Sequence, residues 1–310
     1  MSQDANVKLI SPSAVLKQVA AAIPADFRQN IIIIGSLAAG YHFFGDNSEL
    51  QVRTKDVDCL LAPRIQAIPA GQAVADRLFA ENWQLRAEGD WAKPGSAATP
   101  VGDLPVVRLH PPGTTEWFIE LLTVPESESD LDRKDIRLVT SQGHFSLCSF
   151  GFLSLAEFQP IPTPFGIATA RPETMALSNL LHHPTIRPER MSGLIAGRSI
   201  KRSNKDLGRV LAMARLAEAK EEDTLLKWPV VWAAALQPRF PNTWRKLVPQ
   251  VGMGLRQLLR PEHEADLEEA HHTCANGLMV SQSPTLKLLQ VTGERLIQDA
   301  IEPLEQMAKA

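Results

Sequence analysis

The sequence predicts an α/β (α+β) protein, with strands and helices mixed in a core and a helical region after it. Three observations carry this. Ile31 to Ile34 is a β-branched, wholly apolar run that ends at Gly35-Ser36, as a buried strand running into a turn does. Arg53-Thr54-Lys55-Asp56-Val57-Asp58-Cys59-Leu60-Leu61 sets two carboxylates at alternate positions entering a second apolar run. From Glu173 onward the apolar spacing is mostly helical.

The elements follow in order. Ser11-Pro12-Ser13 opens a helix over Ala14 to Ala22, because serine caps helix N-termini and proline is tolerated in the first turn. Leu37 to Phe44 is a helix, Gly45 to Ser48 a turn, and Val57 to Ala62 a strand stopped by Pro63. Ala73 to Glu81 is helical, and Trp83-Gln84-Leu85 is extended. Lys93 to Pro105, rich in Gly, Pro, Ala and Ser, is a surface loop. Val106 to Leu109 and Trp117 to Val124 form a strand pair around Pro111-Pro112-Gly113. Pro160 to Pro172 reads as a linker. Helices are expected over Glu173 to His182, Lys205 to Lys220, Thr224 to Leu236, Arg245 to Leu259, Pro261 to Asn276 and Thr285 to Lys309. This divides the chain into residues 1–170 and a helical part, 171–310.

Composition narrows the function. At 44% apolar and 22% charged residues, the 310-residue chain has the make-up of an ordinary globular protein. A net charge of −3 gives no global attraction to polyanions, so any such partner needs a local basic patch. Cys59, Cys148 and Cys274 are far apart and odd in number, with neither a disulfide framework nor metal-ligand spacing. The N-terminus lacks a basic-then-apolar signal, and no apolar stretch approaches the roughly 18 residues of a membrane span. These features predict a cytoplasmic protein with no membrane partner.

Alternate strand residues face one side, so Asp56 and Asp58 converge while Val57 points away. Like charges that close are costly without a cation between them. Aligned carboxylates are hard oxygen ligands that suit Mg²⁺ or Mn²⁺. Glu120, inside Trp117-Phe118-Ile119-Glu120-Leu121-Leu122, is the third candidate as metal ligand or base; it is favoured over Glu116 because apolar residues flank it on both sides. Gly35 lets the backbone approach a phosphate, Ser36 adds a hydroxyl, and the helix after them offers amide N–H groups. The bland alternatives are a surface strand with paired acids and a strand-to-helix turn with a serine cap. Arg53 and Lys55 are either solvated charges or phosphate-neutralising ones.

The order strand-Gly-Ser-helix, Asp-x-Asp on a strand, then a lone acid on a later strand resembles the polymerase-β-like nucleotidyltransferase superfamily. Gly35-Ser36-Leu37-Ala38-Ala39 with Arg53-Thr54-Lys55-Asp56-Val57-Asp58 is similar to the bacterial branch containing the abortive-infection nucleotidyltransferase toxins. So are Pro172-Glu173-Thr174-Met175-Ala176-Leu177 and Arg202-Ser203-Asn204-Lys205-Asp206-Leu207. The resemblance spans roughly residues 25 to 220. It implies a nucleotidyltransferase core with a mixed, twisted sheet and a helical domain behind it. It also implies Mg²⁺-dependent transfer of a nucleoside monophosphate from a nucleotide triphosphate to a hydroxyl. Asp56, Asp58 and Glu120 would hold metal, Gly35, Ser36, Arg53 and Lys55 would meet the nucleotide, and Lys205 would contact phosphate. An RNA or protein acceptor and an antitoxin partner fit such a toxin. A small-molecule acceptor of the aminoglycoside kind, or a protein of this fold that binds without turnover, are the alternatives.

The basic series Arg187, Arg190, Arg198, Lys201, Arg202, Lys205 and Arg209 is either a solvated face or the local patch a net-acidic protein needs for triphosphate or RNA. His182-His183 and His271-His272 are adjacent pairs whose side chains diverge on a helix, which disfavours zinc and points to surface or helix-end positions. His42 is expected to pack, and the scattered tryptophans to fill cores.

Overall fold

A computed structural model describes residues 8–47, 49–86 and 93–309. The expected turn residue Ser48 and Trp91 lie outside them. The strands are β1 (Leu9–Ile10), β2 (Ile31–Ile34), β3 (Val52–Arg53), β4 (Asp56–Leu61), β5 (Gln84–Leu85), β6 (Arg108–His110), β7 (Phe118–Thr123), β8 (Lys134–Thr140), β9 (Gly143–Ser149), β10 (Ile161–Pro162) and β11 (Ala168–Thr169). Helices α1 (Pro12–Ala22), α2 (Gly35–Phe44) and α3 (Arg64–Ala80) lie among them. Eight helices follow: α4 (Pro172–His182), α5 (Arg202–Lys220), α6 (Trp228–Arg239), α7 (Trp244–Val251), α8 (Met253–Leu258), α9 (Glu264–Asn276), α10 (Leu286–Leu296) and α11 (Glu302–Lys309). No helix among the described residues is long and apolar enough to cross a membrane.

The fold is mixed α/β with a helical C-terminal region, as the sequence predicts. Among the described residues nine strands join one mixed sheet, in the order β10-β11-β2-β4-β7-β6-β5, with β9 also on β7 and β8 on β9. β4 is its centre: antiparallel to β2 on one edge and parallel to β7 on the other. Val57, Cys59, Leu60 and Leu61 are wholly buried, so this strand is hydrophobic on both faces except where Asp56 and Asp58 enter it.

Local chemistry accounts for most of the boundaries. The Ser11 hydroxyl accepts from the Ala14 amide at the start of α1. α2 begins at Gly35 itself, without a side-chain cap, so Ser36 sits in its first turn and is not the capping residue. The segment 160–172 is not a free linker. Thr169 pairs with Ile161 in β10 and with Ile33 in β2, which extends the sheet beyond β2. The hairpin β8-β9 had no expectation in the sequence; its alternation is interrupted by charges at Lys134, Asp135 and Arg137, which hide it. The expected helix over 285–309 is broken by a π-helical turn at Ile297–Ile301.

One apolar core runs through both parts of the chain, from Ile10 and Val15 through Leu60 and Leu121 to Leu211 and Leu304. At the seam, the Lys220 ammonium at the end of α5 donates to the His42 carbonyl of α2 at 2.9 Å. Burial pushes the His42 imidazole down to about 4, helped by Lys220 and Arg171 and opposed by Glu173. Its ring packs edge-on against Phe43 at 4.9 Å, the packing role expected of it. The unfolded chain therefore takes up a proton near pH 6.5 that the folded chain refuses until about pH 4. This contribution to stability is complete above pH 6.5 and is lost as pH falls through that window. It is expected to be on the order of 1–2 kcal/mol after allowance for partial exposure. Denaturant midpoints from pH 7 to pH 4 should fall less steeply in His42→Gln than in the unaltered chain; equal slopes would contradict the assignment.

Candidate active site

Strand pairing assembles the acidic centre. The register sets Asp58 opposite Ile34 on one side and Glu120 on the other, and Asp56 opposite Phe118. Directly opposed residues share a sheet face, so Asp56, Asp58 and Glu120 lie on the same side. All three are half-buried in strands that are otherwise apolar. The Thr54 hydroxyl donates to Asp56 Oδ1 at 2.7 Å, and the Lys55 carbonyl accepts from the Phe118 amide at 2.8 Å, locking the mouth of β4 to β7.

Their electrostatics differ. Burial pushes the Asp56 carboxyl up, but Lys205, the Thr54 hydroxyl and Arg209 outweigh it and hold the group below the usual carboxylate range. Asp58 is pushed well above that range by burial, then by the carboxylates of Asp56 and Glu120; Arg209 and Lys205 offset this only in part. Burial and two neighbouring carboxylates thus favour the protonated form of Asp58, while Asp56 is kept as the anion.

Gly35 closes the centre from above. Its φ of +77° is left-handed, and a Cβ there would sit 3.0 Å from Asp58 Oδ2. Both facts favour glycine at the strand-to-helix step, and they place the first residue of α2 against the carboxylate.

Beside Asp56 opens a cleft of about 190 Å³, more than ten times what one water needs; Asp58 and Glu120 lie on the same sheet face but do not line it. Ser36, Thr54, Asp56, Lys205 and Arg209 line its polar side. A hairpin arm between α4 and α5 supplies the opposite wall through Met191 to Ala196. The arm turns at Ala196-Gly197, both with positive φ (45° and 83°), and Ile195 and Arg198 exchange both backbone bonds across it. This is the backbone of a tight two-residue hairpin. Two carboxylates of α9 clamp its stem. Glu269 accepts from Arg190 and from the Lys201 amide, and Asp266 accepts from the Lys201 ammonium at 2.6 Å. The tip is held by His272, whose Nε2 lies 2.8 Å from the Ile195 carbonyl.

The other sequence-named residues fall as follows. Arg53 and Lys55 line the cleft, with the Arg53 guanidinium donating to the Asn276 carbonyl and Oδ1 at 3.3 and 3.2 Å. Lys205 lines it from the first turns of α5. The basic series is split. Arg190 and Lys201 are engaged by α9, Arg209 joins Lys205 at the cleft, and Arg202 faces solvent. His182 and His183 are helix-end residues, as expected, but not surface ones. His182 packs against Phe150 and Phe152, and buried His183 bonds Asp206 at 2.9 Å. Asp206 is held well below the usual carboxylate range: burial raises it, and His183, Lys205 and Arg209 more than compensate.

Three participants escaped the sequence reading. Thr54 and the hairpin arm carried no signal apart from their neighbours. Arg108 did carry one: a lone cation in the apolar run Val106-Val107-Arg108-Leu109, the mirror image of Glu120 in β7. It stands opposite Glu120 in register, with Nε 2.7 Å from Oε2 and Nη2 3.2 Å from Oε1.

Among the described residues no group of three His, Cys, Asp or Glu side chains could hold a metal ion by itself. Two convergent aspartates still fit Mg²⁺, which commonly takes one or two carboxylates and completes its shell with water and substrate phosphate. The close approach of the Asp56, Asp58 and Glu120 carboxylates and the space that Gly35 leaves at Asp58 Oδ2 agree with a cation there.

Neither the models of known protein families nor the curated proteins contain a match to this chain.

Gly35→Ala is expected to lower stability by roughly 1–2 kcal/mol from the left-handed backbone alone, with more added by the contact with Asp58. A denaturation midpoint equal to that of the unaltered chain would show that the strand-to-helix step tolerates a Cβ.

Proposed function

We propose that this chain is a Mg²⁺-dependent nucleotidyltransferase that moves a nucleoside monophosphate from a nucleotide triphosphate to a hydroxyl. One observation carries the reading. Asp56 and Asp58 share a sheet face with Glu120 beside a glycine step, and Asp56 opens onto a cleft lined by Lys205 and Arg209. Transfer at phosphorus asks a protein chiefly for positioning and charge neutralisation, and this arrangement offers both.

In that reading the oxygens of Asp56 and Asp58 hold the ion. When bound, the ion neutralises phosphate charge and helps place the attacking oxygen. Lys205 and Arg209 balance the negative charge of the triphosphate, and Ser36 with the first turn of α2 contacts phosphate oxygen. Thr54 keeps Asp56 turned toward the cleft. The acceptor oxygen bonds to the α-phosphorus, the bond from that phosphorus to the bridging oxygen breaks, pyrophosphate leaves, and the hydroxyl proton passes to solvent. The acceptor is an RNA end or a protein side chain, and an antitoxin that blocks the cleft would make the pair a toxin–antitoxin system.

Incubation with each α-labelled triphosphate, Mg²⁺ and total RNA tests this. Label is expected on RNA or on protein with the unaltered chain, and at least about 100-fold less with Asp58→Ala. Triphosphate binding with no label on any acceptor would make the chain a binding protein instead.

A further inference from the structure

Resting on that reading, the geometry points to a second role on the same sheet face. We infer that Arg108 is a built-in cation of the centre: it keeps Glu120 from ligating metal and limits the site to a single divalent ion, held by Asp56 and Asp58.

The argument starts from register. β6 pairs antiparallel with β7, and Arg108 falls directly opposite Glu120, which itself falls directly opposite Asp58 in β4. The three side chains therefore form a row across one face, carboxylate, carboxylate, guanidinium, at successive strand spacings. Both Glu120 oxygens are taken by the guanidinium fork, at 2.7 and 3.2 Å. Such two-point pairing fixes orientation as well as distance. The side chains are 22% and 12% exposed, so solvent does little to loosen the pair.

An aromatic ring also lies against the guanidinium. Its carbon lies 5.9 Å from the centre of the Phe118 ring, on whose face the Arg86 guanidinium also rests at 4.5 Å. Phe118 is fixed opposite Asp56 by the same β4-β7 register. For Glu120 to swing toward an ion bound at Asp58, it would have to give up both charge-assisted bonds to the guanidinium at a site where solvent does little to replace them. A second divalent ion beside Glu120 would meet a positive charge that no accessible pH removes. The row thus carries its own cation at one end, against Glu120, with the aspartates at the other.

Arg108 is a positioning residue here, and its test reads ion binding rather than turnover. Mn²⁺ is titrated into the full chain without nucleotide, and free and bound ion are counted by electron paramagnetic resonance, with thermal melting to verify folding. The unaltered chain should bind one Mn²⁺. Glu120→Gln should still bind one, with affinity changed less than the roughly tenfold that losing a ligating contact produces. Arg108→Gln should gain a second ion or bind the first roughly tenfold more tightly, as the freed Glu120 joins the shell. Two ions in the unaltered chain, a tenfold loss in Glu120→Gln, or no change in a folded Arg108→Gln would each overturn the inference while leaving the transferase reading intact. If Arg108→Gln does not fold, Glu120→Gln decides alone. No Mn²⁺ bound by the unaltered chain at millimolar ion would instead remove the transferase reading, and this inference with it.

Discussion

The pairing of β4 between β2 and β7 is the constraint on which the site depends. It is a short strand with an apolar half, Cys59 to Leu61, buried completely, and a polar entrance. The buried half fixes register, because a slip by one residue would carry the Asp58 carboxylate into the wholly buried stretch. The entrance then has no freedom: Asp58 must face Glu120, and Asp56 must face Phe118. Burial of hydrophobic side chains at one end of a strand thus forces carboxylates together at the other.

That convergence is unfavourable on its own, and the surrounding structure is arranged around it. Asp56 is stabilised as an anion by Lys205, Thr54 and Arg209, and Glu120 is neutralised by Arg108. Asp58 is left with the least compensation. Gly35 leaves room for the Asp58 carboxylate, since a Cβ there would press on its oxygen. A concentration of charge at a fixed point inside a protein is a feature that stability alone does not favour, and such points tend to be functional.

The helical part is more than a scaffold. α5 brings Lys205 and Arg209 to the aspartates, and α9 clamps the hairpin arm that walls the cleft. Because the clamp uses two carboxylates one helical turn apart, the arm's position is tied to the packing of α9 on α5. The seam between the two sequence regions, crossed by Arg53 to Asn276 and by Lys220 to His42, is where the cleft opens. Ligand sites favour such junctions.

Much of this was legible in the residues themselves. The apolar runs Ile31 to Ile34 and Cys59 to Leu61 marked the central strands, and the period-2 spacing of Asp56 and Asp58 already placed them on one face. Gly35 was recognisable as a point of close approach, and Glu120 as a charge out of place in an apolar strand. These inferences succeed because they depend on local periodicity and on side-chain chemistry. The segment 160–172 misled because its prolines and glycines resemble those of a linker, while its two short strands exist only through pairing with β2 and with each other. Arg108 was visible as an oddity, yet its partner was not, since twelve residues and a turn separate it from Glu120 and only register brings them together. The hairpin arm, the burial of His183 and the division of the basic series between cleft, clamp and solvent were likewise decided by packing. A sequence determines which way a side chain points along its own strand or helix; which charge it then meets is set by neighbours distant in the chain, and that belongs to tertiary structure.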